Sequence, residues 1–178
     1  MKLLLHICCG PCAIYPVKSL REQGIEVTGC FYNNNIHPLT EWAKRRDTLS
    51  AYAESANFPV IYQKTYDMEG FLQKVVFREK TRCPVCYHDR LLSAAHIAKK
   101  GNFEAFSSTL LYSKFQNHDL IRTIGEAIGK SLGVDFFYQD FREGWKEGIA
   151  VSKDLNMYRQ QYCGCIYSES ERYSKLKP

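Results

Sequence analysis

Cysteines are the residues of this 178-residue chain whose type and spacing point most directly to chemistry. They occur as an adjacent pair with a third thiol nearby, one isolated residue, a C-x-x-C pair and a C-x-C pair. This grouping differs from the spread pairing of a secreted disulfide framework. It indicates metal binding or redox chemistry in a reducing compartment. The eight positions are Cys8, Cys9, Cys12, Cys30, Cys83, Cys86, Cys163 and Cys165.

The adjacent cysteines lie in a predicted turn between a strand and a helix. Residues 3–7 are mostly apolar and predict a short buried strand, and Gly10 and Pro11 suit a turn that enters a helix. Open α/β sheets bind ligands at this end of a strand, and the N–H groups of a helix N-terminus favour anions, thiolates included. The loop that holds Cys8, Cys9 and Cys12 is therefore a predicted metal or redox site.

A second thiol pair, Cys83 and Cys86, opens a later predicted helix and completes a set of four with Cys8 and Cys9. Four cysteines suit either structural zinc or a [4Fe–4S] cluster. Two adjacent sulfurs reach one small tetrahedral ion only with strain, whereas they can reach neighbouring atoms of a larger cluster. We therefore favour the cluster, with zinc as the alternative.

The remaining thiols are Cys163 and Cys165, which a single glycine separates, and the isolated Cys30. The glycine lets the backbone fold tightly, so that both sulfurs could point one way. They could then form an easily reduced disulfide or ligate a second metal. Two unrelated buried cysteines beside a turn are the third possibility. Cys30 lies in an apolar run and is predicted to be a core residue.

Predicted strands and helices alternate along the chain. Such alternation predicts a parallel sheet with helices on both faces, in a single domain that spans residues 1–178. The predicted strands are 3–7, 25–32, 59–62, 103–106 and 134–138, and the predicted helices are 12–24, 40–56, 68–77, 83–100, 119–132 and 145–156.

Composition narrows the class of protein further. No apolar run approaches the roughly 18–20 residues that a membrane span needs, and His6 and the cysteines interrupt the apolar N-terminus. We therefore expect a cytoplasmic protein that is not bound to a membrane. The net charge of +5 permits a phosphate-rich partner. Basic residues near the predicted loops, among them the run Lys44, Arg45 and Arg46, would suit RNA phosphates, and the aromatic residues beside them would suit an unstacked RNA base.

The motifs together resemble those of the cobalamin-independent epoxyqueuosine reductase family (QueH), in order and over nearly the whole chain. Asn34 is a small departure, since the family often has proline there. The matching segments are Leu4-Leu5-His6 with Cys8-Cys9-Gly10-Pro11-Cys12, Phe31-Tyr32-Asn33 with Asn35-Ile36-His37-Pro38, Arg82-Cys83-Pro84-Val85-Cys86-Tyr87 with Arg90-Leu91, Asp140-Phe141-Arg142 with Gly144, and Tyr158-Arg159-Gln160 with Tyr162-Cys163-Gly164-Cys165.

The resemblance implies a nucleotide α-hydrolase-like fold and the last step of queuosine synthesis, in which the epoxide of epoxyqueuosine at the tRNA wobble position is reduced to an alkene. It also implies an electron donor, which the sequence does not identify. Carried over by position, Cys8, Cys9, Cys83 and Cys86 would ligate a [4Fe–4S] cluster. Cys163 and Cys165 would be a redox pair or the ligands of a second, mononuclear iron. Cys12 would be an extra ligand or a neighbour of the cluster.

Two side chains at predicted strand ends, Asp140 and His37, are candidates for the acid that protonates the epoxide oxygen. A helix cap and a hydrogen-bonded loop histidine are the structural alternatives.

Two other functions compete with the reductase. An ATP-dependent tRNA-thiolating enzyme with an iron–sulfur cluster would share the opening strand and helix, but its glycine-rich phosphate loop is missing here. A zinc-stabilised RNA-binding module is the non-enzymatic alternative.

Overall fold

The structure is a computed structural model and describes residues 1–176. Five strands and seven α-helices alternate along most of this length, with short 3₁₀ turns at 79–81, 109–112 and 142–144. The strands are β1 (Lys2–His6), β2 (Glu26–Phe31), β3 (Val60–Tyr62), β4 (Ala105–Ser108) and β5 (Asp135–Phe136). The helices are α1 (Gly10–Glu22), α2 (Leu39–Ser55), α3 (Met68–Val75), α4 (Arg82–Lys100), α5 (His118–Leu132), α6 (Trp145–Asp154) and α7 (Ile166–Arg172).

All strand pairs are parallel, and the strand order is β3-β2-β1-β4-β5, which confirms the predicted fold class. The central strand β1 carries Leu3, Leu4 and Leu5, each wholly buried, because both faces of a parallel sheet are covered. The order of the strands reverses between β1 and β4. The crevice beyond the carboxyl ends of these two strands is thus where an α/β sheet of this kind binds its ligands.

The helices cover both faces of the sheet. From β1 the chain adds strands toward one edge of the sheet, which β3 forms, and from β4 it adds β5 at the other edge. Because the crossovers are right-handed, the helices of these two halves lie on opposite faces of the sheet. Consistent with this, α1 packs against α2 and α6, whereas α4 packs against α5. At Gly133, the predicted end of α5, the backbone is left-handed, with φ +69°.

Several bounds differ from the sequence-based expectation, since α1 begins two residues earlier, at Gly10, and β5 covers only Asp135–Phe136. Strand β4 is shifted by two residues, so that Ser107 and Ser108 belong to the strand rather than to the loop after it. Helix α7 was not predicted, because its sequence is polar and its N-cap is unusual. The cap is Cys165, whose Sγ accepts the N–H of Ser168 at 3.4 Å. Across residues 1–176, no helix is both long and apolar enough to cross a membrane.

Candidate active site

The first thiol group lies at the carboxyl end of β1, where the strand order reverses. The sulfurs of Cys8, Cys9 and Cys12 all lie within 4.8 Å of one another. Cys9 is the N-cap of α1, and its Sγ accepts the N–H of Cys12 at 3.4 Å. Thr109, just after β4, ties this loop to the neighbouring strand. Its Oγ1 accepts the N–H of Cys8 at 3.2 Å, and its hydroxyl donates to Cys8 Sγ at 3.5 Å.

This group concentrates negative charge on one sulfur. Hydrogen bonds from the thiols of Cys12 and Cys9 lower the pKa of Cys8 well below its ordinary value, with further contributions from Arg90 and Thr109. Burial raises the pKa of Cys9. The pKa of Cys12 is raised by the hydrogen bonds that Cys12 forms with Cys8 and Cys9. Of the three thiols, Cys8 is accordingly the one that loses its proton most readily.

The second thiol group joins the C-x-x-C pair at the start of α4 to the C-x-C pair before α7. Cys86 and Cys165 are buried in one small apolar cluster, while Cys83 and Cys163 are exposed. Burial raises the pKa of Cys86 to about 12, and the thiols of Cys163 and Cys165 act in the same direction. Burial also raises the pKa of Cys83, and the thiols of Cys163 and Cys165 again act in the same direction. The two cysteine pairs are thus close neighbours in the fold.

Arg90 lies between the two thiol groups and is only 2% exposed. Its Nη1 donates to Cys86 Sγ at 3.8 Å, and its Nε is 3.4 Å from His6 Nε2. Burial lowers the pKa of Arg90, but the thiols of Cys86, Cys8 and Cys163 raise it above its ordinary value. Within residues 1–176, no carboxylate forms an ion pair with this guanidinium.

A buried cation costs several kcal/mol unless a nearby negative charge compensates it. In the part of the chain that the structure describes, the groups that stabilise the charge of Arg90 are the sulfur atoms of Cys86, Cys8 and Cys163, either as thiolates or as ligands of an anionic metal centre. All eight cysteines are free thiols, as metal ligation requires. The residues present therefore fit a thiolate-ligated, negatively charged metal group.

A second buried arginine, Arg45, holds the C-x-C loop in place. It is 1% exposed and forms a buried ion pair with Glu41, at 2.7 Å between Nε and Oε1. Its two other nitrogens donate to the carbonyl oxygens of Cys163, at 2.9 Å, and Tyr162, at 3.0 Å. Gly164 has φ +149°, a conformation that favours glycine. The loop is fixed in such a way that Cys163 lines the cavity and Cys165 caps α7.

His37, one of the two candidate acids, also supports this loop. Its Nε2–H donates to the carbonyl of Asn34 at 3.0 Å, and its Nδ1 accepts the N–H of Ile166 at 3.2 Å. Burial lowers the pKa of His37, so the ring is neutral. Both ring nitrogens bind the backbone, which makes His37 a hydrogen-bonded loop histidine in this structure.

Asp140, the other candidate acid, is not among the residues that line the thiol cavity. Its carboxylate binds the guanidinium of Arg142 at 2.5–3.0 Å, and it caps the N–H of the same residue. The bonds from Arg142 lower the pKa of Asp140 to about 2. A carboxylate with that pKa holds no proton at neutral pH, and the catalytic assignment of Asp140 stays a prediction.

A cavity of about 530 Å³ opens over the two thiol groups. The amide of Gln160 donates to Cys12 Sγ at 3.2 Å, and the amide of Gln116 donates to Cys163 Sγ at 3.5 Å. The cavity is lined by Cys8, Cys12, Cys163, Arg90, Thr109 and, along one wall, the aromatic residues Tyr112, Phe115 and Trp145.

Several of these residues were missed by the sequence analysis as members of a site. Gln116, Tyr112 and Phe115 carry no motif of their own. They lie, however, in the segment that follows β4, at the same edge of the sheet as the cysteine loop. The position of this segment after a predicted strand was the available clue.

Comparison with known proteins gave matches along nearly the whole chain. The family model described as "Epoxyqueuosine reductase QueH" matches residues 3–171. Epoxyqueuosine reductase QueH of Dehalococcoides mccartyi is 38% identical over 174 residues, which cover 98% of this chain and 96% of that protein. The protein of the same name from Thermotoga maritima is 36% identical over 183 residues, with 97% and 93% covered.

A solved structure shares the fold. It is that of a predicted subunit of tRNA methyltransferase from Methanocaldococcus jannaschii, with a TM-score of 0.53 over 99% of this chain and 86% of that chain. At 12% sequence identity, the likeness concerns the fold alone.

The ion pair of Arg45 gives a first test. We expect Arg45→Met to lower the free energy of unfolding by about 3–5 kcal/mol, because it leaves the Glu41 carboxylate buried without its partner. Arg45→Lys should recover only part of that loss, since an ammonium cannot reproduce the planar fork of donors. Anaerobic urea denaturation measures both.

The matched control is Arg46→Met on the same helix. Arg46 pairs with Asp47 at the surface, where such pairs contribute about 1 kcal/mol or less. Equal losses for Arg45→Met and Arg46→Met would contradict the supporting role of Arg45.

Proposed function

The chain belongs to the epoxyqueuosine reductase QueH family, and on that premise we propose that the cavity over its thiols is the site where epoxyqueuosine in tRNA is reduced to queuosine. Members of this family are oxidoreductases of queuosine biosynthesis. The observation that carries the proposal is the buried Arg90. Thiols of both groups surround it, and it lines a cavity that lies where the strand order reverses. A site of this kind stabilises negative charge on sulfur next to space for a substrate.

The reaction sets the requirements that the site must meet. Conversion of the epoxide to an alkene breaks both carbon–oxygen bonds, consumes two electrons and two protons, and releases the oxygen as water. The site must therefore deliver electrons in two steps or as a pair, and protons must reach the departing oxygen.

We propose that Cys8, Cys9, Cys83 and Cys86 hold a [4Fe–4S] cluster. Such a cluster, when bound, supplies electrons one at a time at a potential that the surrounding charges and hydrogen bonds adjust. Support comes from the close group of sulfurs around Cys8 and from the buried cation of Arg90, whose charge the thiols of Cys86, Cys8 and Cys163 stabilise. Cys12 lies within the same group of sulfurs and is a further candidate ligand.

For the C-x-C pair the two proposed roles stay open. As a dithiol, Cys163 and Cys165 would release two electrons and two protons on closing a disulfide, which balances reduction of the epoxide to the alkene and water. An external electron donor would then restore the thiols. As ligands of a second, mononuclear iron, they would hold a Lewis acid near the epoxide oxygen.

The competing functions are less well supported. The loop after β1 has three cysteines where an ATP-dependent tRNA-thiolating enzyme would cradle phosphate, and the family match covers nearly the whole chain. The same match favours an enzyme over a zinc-stabilised binding module. We further infer that residues 1–178 form one domain and that the protein works in the cytoplasm, where tRNA and free thiols occur together.

The ligand assignment is tested by iron content after anaerobic reconstitution with iron and sulfide. We expect alanine at any of Cys8, Cys9, Cys83 or Cys86 to remove the brown absorbance or to reduce the bound iron sharply, because each would supply one ligand. Turnover on tRNA that bears epoxyqueuosine should fall with it.

Cys30→Ala is the matched control, since Cys30 is buried in β2, and its raised pKa of about 12 is due to burial alone. Its iron content should equal that of wild type. A full set of irons and an unchanged spectrum in Cys83→Ala would show that the ligand set is wrong.

The C-x-C pair is tested by separating turnover from cluster content. We expect Cys163→Ala and Cys165→Ala each to lose turnover while they keep the [4Fe–4S] spectrum, because either role needs both sulfurs. A second iron predicts about five irons per chain in wild type and four in the variants, whereas a dithiol predicts about four in both. Wild-type turnover by the double alanine variant would exclude both roles.

The charge of Arg90 is tested by the reduction potential of the reconstituted protein. We expect Arg90→Met to make the potential more negative, on the order of 50–100 mV, because a buried positive charge near the sulfurs stabilises the reduced state. Arg90→Lys keeps the charge and should show a smaller shift. If Arg90→Met left the potential unchanged at full iron content, the metal centre would lie away from Arg90.

A further inference from the structure

Three aromatic rings form one wall of the cavity, from the interior to the surface. Tyr112 is 3% exposed, Trp145 is half-buried and Phe115 is 84% exposed. The rings of Tyr112 and Trp145 are 5.2 Å apart between centroids and tilted by 32°, and the ring of Phe115 meets Trp145 at 5.8 Å and 78°. We call this set the aromatic wall.

The inner part of the aromatic wall is tightly fixed. The hydroxyl of Tyr112 donates to the carbonyl oxygen of Trp145 at 3.2 Å. A Cβ on Gly148 would lie 2.2 Å from that hydroxyl oxygen, so the helix approaches the ring as closely as glycine allows. Tyr112 and Trp145 accordingly form a rigid base for the outermost ring.

Phe115, by contrast, offers open ring faces at a defined place. Its backbone N–H donates to Ser113 Oγ at 3.2 Å, and its ring meets Trp145 nearly at a right angle. Contact with Trp145 in this orientation leaves most of the ring uncovered, as the high exposure of Phe115 shows. The ring is therefore accessible to a planar group that approaches from solvent.

Positive charge lies beside this open ring. Lys114 holds its ammonium 5.9 Å from the centroid of Trp145, and the exposed Arg159 lines the same cavity. Aromatic rings next to cations are the arrangement with which proteins bind single-stranded nucleic acid, where bases stack and the cations attract the phosphates. The charge and the aromatic surface thus suit the same kind of partner.

The open ring is also directly connected to the reactive end of the cavity. The residue after Phe115 is Gln116, whose amide donates to Cys163 Sγ at 3.5 Å. We propose that Phe115 is a stacking platform for a nucleobase of the substrate RNA, at the mouth of the cavity, so that the group attached to that base extends inward to the thiols. This inference rests on the proposed function, which makes tRNA the substrate.

The test compares binding and turnover on tRNA that bears epoxyqueuosine, with reconstituted enzyme. We expect Phe115→Leu to raise both Kd and KM about ten-fold or more, because base–aromatic stacking contributes that much to single-strand binding. At saturating tRNA, kcat should stay within about two-fold of wild type. Phe115→Tyr keeps an aromatic face and should keep the wild-type Kd within the same range.

The matched control is Phe77→Leu, which removes an equally exposed phenylalanine, 92% exposed, that is not among the cavity residues. Its Kd and KM should match those of wild type. An unchanged Kd for Phe115→Leu, or the same increase in both leucine variants, would overturn the proposal. If wild type bound tRNA but did not turn it over, the proposed function would fail, and the Kd values would still decide the role of Phe115.

Discussion

The compensation of one buried positive charge is the constraint on which the arrangement of the site depends. Arg90 extends from α4 into the interior, where it is almost wholly buried and no carboxylate of residues 1–176 forms an ion pair with it. Three thiols from three different parts of the chain surround it instead: Cys8 after β1, Cys86 on the same helix, and Cys163 before α7. An interior cation is tolerated only where negative charge is present. Arg90 accordingly favours the anionic form of each of these three sulfurs, the form that ligates metal, and at Cys8 the pKa falls well below its ordinary value.

The histidine next to Arg90 does not add a positive charge of its own. His6, at the end of β1, could add a second positive charge beside Arg90. Burial and the charge of Arg90 lower the pKa of His6 to about 3, so the imidazole is neutral and bonds instead to Ser108 Oγ at 2.9 Å and the carbonyl of Tyr32 at 3.1 Å. In this way His6 ties together the carboxyl ends of β1, β4 and β2. It sets the geometry of the crevice without competing for the negative charge of the thiols.

The sequence predicted well what local pattern determines, and less well what depends on distant partners. The apolar run of β1 and the alternation of strands and helices are local, and they predicted the sheet and its ligand-binding edge. Arg45 belongs to a basic run that the sequence analysis assigned to RNA binding, yet it is buried, because Glu41 and the carbonyls of a loop over a hundred residues away bind it. The proximity of Cys83 and Cys86 to the C-x-C pair has the same origin. The local sequence of neither cysteine pair indicates that the fold brings the other pair close to it.

The position of Cys8 in the lining of the cavity has a consequence for the substrate. An enzyme that acts on a base of a stacked anticodon loop takes the base out of the stack and must compensate for the stacking that is lost. An aromatic side chain at the cavity mouth can supply that compensation, since every base has a π face. In the aromatic wall, the open outer ring is the surface that an incoming base can reach from solvent. The rigid inner rings hold that surface in place relative to the thiols.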